Sequence, residues 1–218
     1  MSKRRKKVAD FELLQRRVAE AHWRWKVWKQ LFVPDPGVPN DAAQRLALMN
    51  SVAPALFAMM HRVLFADVIL CLCKLADPKD SRVRGGIRDN LTIKAARQRA
   101  AARLTSREQR VIDRRIAALD KTIMPFKLWR DRSVAHDDHL TALGLASLPR
   151  LAGKKVERVL ELVREVMVRL DPNSKTVDYS YDDSIALGDG TSLLDALRCA
   201  ERYRKKCLAQ GRRPPSLP

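Results

Sequence analysis

Apolar residues recur at three- and four-residue spacing through most of the chain, which predicts helices rather than strands. Phe11, Leu14, Val18, Ala21, Trp25 and Trp28 mark one face of a first helix, expected from about Asp10 to Phe32. Pro34, Pro36, Gly37 and Pro39 then form a turn that no helix crosses. A long second helix is expected from Asn40 or Asp41 to about Leu75, along the stripe Leu46, Met49, Ala53, Phe57, Met60, Leu64, Val68 and Cys71. Its other faces are apolar too, as in a central helix packed on several sides, and Pro54 should bend it near its first third. Residues 77–90 read as a polar loop with a glycine pair, and Asp89 or Asn90 as the start of a shorter helix.

Thr105 with Glu108 has the form of a capping box. It opens a helix carrying Val111, Ile112, Ile116, Leu119 and Ile123, which Pro125 should kink. After a break at Pro149 and Gly153, Val156, Val159, Leu160, Val163, Val166 and Met167 define a helix over about Lys154–Leu170. A last helix is expected over about Thr191–Gln210, stopped by Gly211. The fold class is therefore all-α, a bundle of about five to seven helices. Its expected organisation is a basic arm (1–8), a helical domain (9–170), a loop (171–190), a C-terminal helix packed on the bundle (191–211) and a flexible tail (212–218).

Charge changes the picture. The chain has 43 Lys and Arg against 25 Asp and Glu, a formal net charge of +18. Such a cation attracts polyanions, of which nucleic acid is the commonest in a cell, although a merely well-solvated basic surface stays open on charge alone. A 46% hydrophobic share excludes a disordered chain. Cys71, Cys73, Cys199 and Cys207 do not form a disulfide framework at this size and read as free thiols. The basic start lacks an apolar run such as a signal peptide has. The apolar run Val63–Leu75, broken by Asp67 and Lys74, is too short to span a bilayer. The expected location is the cytoplasm, with no membrane partner.

The sequence contains no phosphate-binding glycine loop, no zinc spacing and no nucleophile elbow, so neither a cofactor nor a metal is expected. Chemistry concentrates in LWRDRSVAHDDH (128–139). Read alone, the segment favours a structural role: His136 ends a helix, with Arg132 four residues earlier as its partner. Yet Arg130, followed by a polar Asp131, a basic Arg132 and Val134-Ala135-His136 with Asp137 beyond, resembles the motif of HEPN domains, in the AbiU-type abortive-infection branch. WKVWKQLF (25–32), LCKLADP (72–78) and DNLTI (89–93) resemble that branch as well, and the likeness covers roughly residues 10–165.

The resemblance reverses the preference for a structural His136. It implies a homodimeric, metal-independent endoribonuclease of phage defence or toxin–antitoxin systems that leaves a 2′,3′-cyclic phosphate. In that chemistry a base removes the 2′-hydroxyl proton. His136, with an ordinary pKa near ~6.5, suits the task, and a neighbouring cation keeps it neutral. Arg130 both biases His136 and holds phosphate oxygens, while Asp131 orients either one. Six residues of ideal helix separate Arg130 from His136 by about 240°, so the helix must end or bend between them unless two protomers share the site.

Arg132, Arg107, Arg110, Arg114, Arg115 and His139 are weaker candidates for RNA contact, and His22 and His61 are assigned no function. Trp25 and Trp28 fit a core better than a stacking platform. The alternative function is a non-catalytic HEPN-fold module binding RNA or a protein, an antitoxin or regulatory partner being possible in either case. A DNA-binding regulator would use the charge but leave the Arg–His pair unexplained.

Overall fold

The computed structural model describes residues 3–134, 141, 143, 146–171 and 188–212. In chain order its elements are α1 (Lys3–Phe32), α2 (Asp41–Val52), α3 (Pro54–Ala76), β1 (Asp80–Val83), β2 (Gly86–Asp89), α4 (Ile93–Ala100), a 3₁₀ turn (Ala101–Arg103), α5 (Ser106–Trp129), a π turn (Arg130–Val134), α6 (Gly153–Leu170) and α7 (Gly190–Ala209). The all-α expectation holds, with one short hairpin added. The chain divides into two units: Met1–Arg24 with Ala66–Ser184, and Trp25–Phe65 with Ile185–Pro218.

In the first unit α5 packs on α6. Ile112, Leu119, Ile123 and Phe126 are buried on α5, and Val156, Val159, Leu160, Leu162, Val163, Val166, Met167 and Leu170 on α6. Each large apolar side chain so buried contributes about 1.5–3 kcal/mol. The Arg115–Glu165 ion pair joining the same two helices, at 2.6 Å and partly exposed, contributes at most about 1 kcal/mol, so apolar packing decides this contact. Leu14, Val18 and Ala21 of α1 and Val68, Ile69, Leu72, Cys73, Leu75 and Ala76 of α3 are buried in the same unit. Polar side chains fasten the ends. Thr105 and Glu108 close the capping box of α5, Arg97 forks onto Asp113 at 2.9 and 3.0 Å, and the Arg103 guanidinium donates to the Leu170 carbonyl at the end of α6.

Four local expectations change in this unit. Helix α1 begins at Lys3 rather than Asp10, so residues 3–8 are helix and not an arm; Lys and Arg are good helix formers and no breaker precedes Asp10. The expected loop at 77–90 contains the hairpin, with Asp80 paired to Asp89 and Val83 to Gly86. Asp89 therefore lies in a strand, and it is Thr92 that caps α4, accepting from the Ala95 N–H. Finally, α5 continues through Pro125 and changes geometry five residues later, at Arg130.

In the second unit the long helix expected from Asn40 or Asp41 to Leu75 is two helices. Ala53, at φ −158° and ψ 73°, separates them, and Pro54 is the first residue of α3. Proline disfavours helical backbone in the residue before it and cannot donate an N–H, so this position starts a helix more readily than it bends one. Leu31, Leu48, Met49, Phe57 and Leu194 form the unit's core, with Val27, Phe32, Met60, Leu64 and Leu197 against it. Trp25 and Trp28 stack at 5.0 Å, and Phe32 meets the His61 ring edge-on at 4.9 Å. Gly190 starts α7 where an added Cβ would lie 3.0 Å from Gln30, Leu31 and the Val27 carbonyl, so α7 approaches α1 as only glycine allows. Gly211, at φ 63°, stops α7 as expected.

By length and composition α3 as a whole, Pro54–Ala76, is long and apolar enough to cross a bilayer, although the run Val63–Leu75 within it is not. Leu56, Met59 and Val63 on it are exposed.

Asp41 is buried; it accepts the Asp35 N–H at 2.8 Å and engages Arg45 and, at 3.5 Å, Arg198. The Asp35 hydrogen bond, with Arg45 and Arg198, holds its carboxyl below the ordinary value against the opposing effect of burial. The stability so gained is present above the unfolded value near ~3.9 and is lost as pH falls through the lower folded value. Asp41→Asn should cost about 1–3 kcal/mol at pH 7; urea titrations at pH 7 and pH 3 should show the gap from wild type shrinking in acid. The thiols give a second test. Burial pushes the Cys73 thiol up to about 12, whereas Cys199 is exposed. A disulfide reagent at pH 8 should modify Cys199 quickly and Cys73 only on unfolding.

Candidate functional site

Two helix ends meet in the first unit: Asp77 follows the last residue of α3, and Arg130 follows the last residue of α5. Each is set by the apolar turn before it, Leu72, Cys73, Leu75 and Ala76 on α3 and Ile123 and Phe126 on α5, all buried. Arg130 Nη1 donates to both Asp77 oxygens, at 3.0 and 3.1 Å. Its Nε donates to Asp131 Oδ1 at 2.7 Å. Lys127 Nζ stands 3.7 Å from Asp77. The Arg130 side chain is about three-quarters buried. The Asp131 hydrogen bond raises the Arg130 pKa above its ordinary value; burial opposes it and Asp77 adds to the rise. Arg130 is thus a permanent cation with a fixed plane, and among the described residues its Nη2 makes no hydrogen bond. That edge can take an anion.

Backbone geometry changes at the same point. Arg130–Val134 form a π turn, whose wider i→i+5 closure departs from the α-helical phase over those five residues. This is an irregularity of the kind the Arg130–His136 spacing requires. Trp129 donates its indole N–H to the Pro149 carbonyl at 2.7 Å and so anchors the turn.

The other candidates are spread out. Arg132 and Asp131 are exposed. His136 and His139 lie outside the described residues. Arg107, Arg110 and Arg114 are exposed on one face of α5, whereas Arg115 is committed to Glu165. Among the described residues no group of three His, Cys, Asp or Glu side chains converges as a metal would need.

Asp77 is the residue that sequence reasoning missed. It stands in the LADP segment at a helix end, but no spacing rule links it to an arginine 53 positions on. Asp77 also lines a cavity of about 430 Å³ with Arg17, Glu20, Arg24, Lys74, Ser81 and Asn90, among others. Cations and carboxylates alternate on its wall: Arg24 pairs with Asp67 at 2.9 Å and Arg17 with Glu20 at 3.1 Å.

No curated protein and no solved structure matches the chain. A family model does, that of the AbiU2 HEPN domain, over residues 8–171. The match spans most of the chain, contains Asp77 and the whole 128–139 segment, and ends one residue after α6. The chain belongs to the AbiU2 family of the HEPN superfamily, a grouping tied to abortive infection.

Proposed function

We propose that the protein is a metal-independent endoribonuclease that arrests growth or aborts infection by cleaving RNA, with Arg130 and His136 at its centre. The observation that carries this reading is the clamping of Arg130 between Asp77 and Asp131, in a member of this family, at the start of the π turn leading towards His136. Two carboxylates fix the guanidinium plane and leave one edge for a phosphate oxygen, an arrangement suited to bidentate or charge-assisted contact.

In the proposed reaction His136 takes the 2′-hydroxyl proton, the 2′ oxygen bonds to phosphorus, and the 5′ oxygen leaves and takes up a proton. The products are a 2′,3′-cyclic phosphate and a 5′-hydroxyl. Negative charge grows on the non-bridging oxygens during the attack, and Arg130 is the cation that meets it. Asp131 and Asp77 act as positioning residues. The reading has the active form as a homodimer in the cytoplasm with RNA as its partner.

Labelled total RNA incubated with the protein in excess EDTA should yield fragments ending in cyclic phosphate, and His136→Ala should lose about 10²- to 10⁴-fold in rate. Equal cutting by both proteins would remove His136 from the site. Binding of RNA without cutting would instead favour a non-catalytic module. Asp77→Ala should lower kcat by about 10- to 100-fold with little change in KM, because Arg130 loses one of its two anchors. Asp77→Glu should restore part of that loss, and an unchanged kcat would show that Asp77 is only structural.

A further inference from the structure

We propose that the Asp80–Asp89 hairpin is an RNA-docking arm that grips the sugar–phosphate backbone beside Arg130; its substrate class rests on the ribonuclease reading above. The hairpin is a two-stranded ribbon with no third strand among the described residues. Arg84 and Gly85 make its two-residue loop, with Gly85 at φ 107° and Gly86 at φ 139°, values that a side chain strains. An isolated ribbon of this length is marginal in water. Here its neck is tied: Asn90 N–H donates to the Lys79 carbonyl at 2.7 Å, Asn90 Nδ2 to Pro78 at 2.9 Å, and Ser81 Oγ to Asn90 Oδ1 at 2.9 Å. The arm is anchored at its base and bare above it.

Its three arginines have no visible part in holding the fold. Arg82, Arg84 and Arg88 are exposed and make no ion pair among the described residues, although Arg17, Arg24, Arg97, Arg99, Arg115, Arg130 and Arg158 of the same unit are all paired. Ile87 is 71% exposed. No acid lies between Arg82 and Arg88, so three like charges are held within a few residues at a cost in mutual repulsion. A ligand with repeated negative charge removes that repulsion.

The register specifies how. Cross-strand partners share a face, so Arg82 opposite Ile87 and Arg88 opposite Ser81 lie on opposite faces, with Arg84 at the tip. Arginines leaving on both faces and at the end suit a flexible strand that wraps the ribbon better than a flat anionic surface. Single-stranded RNA fits this description, and it also allows Ile87 to lie against a base. The location agrees: Ser81 and Asn90, at the neck, line the same cavity as Asp77, which holds Arg130. The neck of the arm and the carboxylate that holds Arg130 therefore share one cavity wall.

The test uses the full chain with His136→Ala, which binds without cutting, and fluorescein-labelled single-stranded RNA of mixed sequence followed by anisotropy across a KCl series. The variant Arg82→Gln/Arg84→Gln/Arg88→Gln should bind about 10-fold more weakly or worse at 0.1 M salt, with the slope of log affinity against log salt reduced by about 2. Its thermal midpoint should be no lower than that of the parent, since the altered side chains are exposed and repel one another. Arg107→Gln/Arg110→Gln/Arg114→Gln on α5 should weaken binding by less than about threefold. Equal binding by the hairpin variant and its parent, or no RNA binding by the parent, overturns the proposal. So does hairpin-dependent capture by phosphatidylserine vesicles that RNA does not compete off. The two readings fail separately. Hairpin-dependent binding by a protein that never cuts keeps the arm and removes the ribonuclease, whereas cutting by the active chain with a KM indifferent to the three glutamines keeps the ribonuclease and removes the arm.

Discussion

The bond from Arg130 to Asp77 joins the end of α3 to the end of α5, and the candidate site has no geometry without it. A partly exposed ion pair of this kind contributes little net stability, about 0–1 kcal/mol, so the fold does not need it for cohesion. It acts on position. The apolar turns Leu72–Ala76 and Ile123–Phe126 bring the two ends within reach, and the carboxylate then selects one orientation of a side chain with many rotamers. Asp131 locks the same guanidinium from the adjacent residue.

Seven arginines of the first unit are spent in a similar way, on carboxylates, and Arg103 on the Leu170 carbonyl at a helix end. The surplus that makes the protein so basic is therefore not spread evenly. Among the described residues of the first unit it shows on the hairpin, on one face of α5 and at exposed Arg16, Arg132 and Arg150. Structural and free arginines look alike in a composition count and differ only in whether a carboxylate stands across from them.

Local signals in the chain were read well where the physics is local. Thr105 and Glu108 are three residues apart, and a capping box needs no more than that. The buried stripe of α6 follows from its period, and Gly211 from the left-handed backbone a helix stop requires. Pro54 inside an apolar stripe suggests a bend, but α3 begins there, because the residue before proline leaves the helical region. The hairpin escaped notice because its strands are four residues long and carry arginine and glycine where alternating apolar residues would have marked them.

The sequence by itself determined the helical class, most helix limits, the basic character and the Arg130–Asp131 segment, all set by residues within a turn or two of each other. Only the tertiary structure decided that Asp77 holds Arg130, that Arg115 is committed to Glu165 while Arg107, Arg110 and Arg114 are not, and that Arg82, Arg84 and Arg88 stand on a ribbon in solvent. The reason is physical: a side chain's partner is chosen by which helices pack together, and that choice depends on apolar surfaces far apart in the chain rather than on the residues next to it.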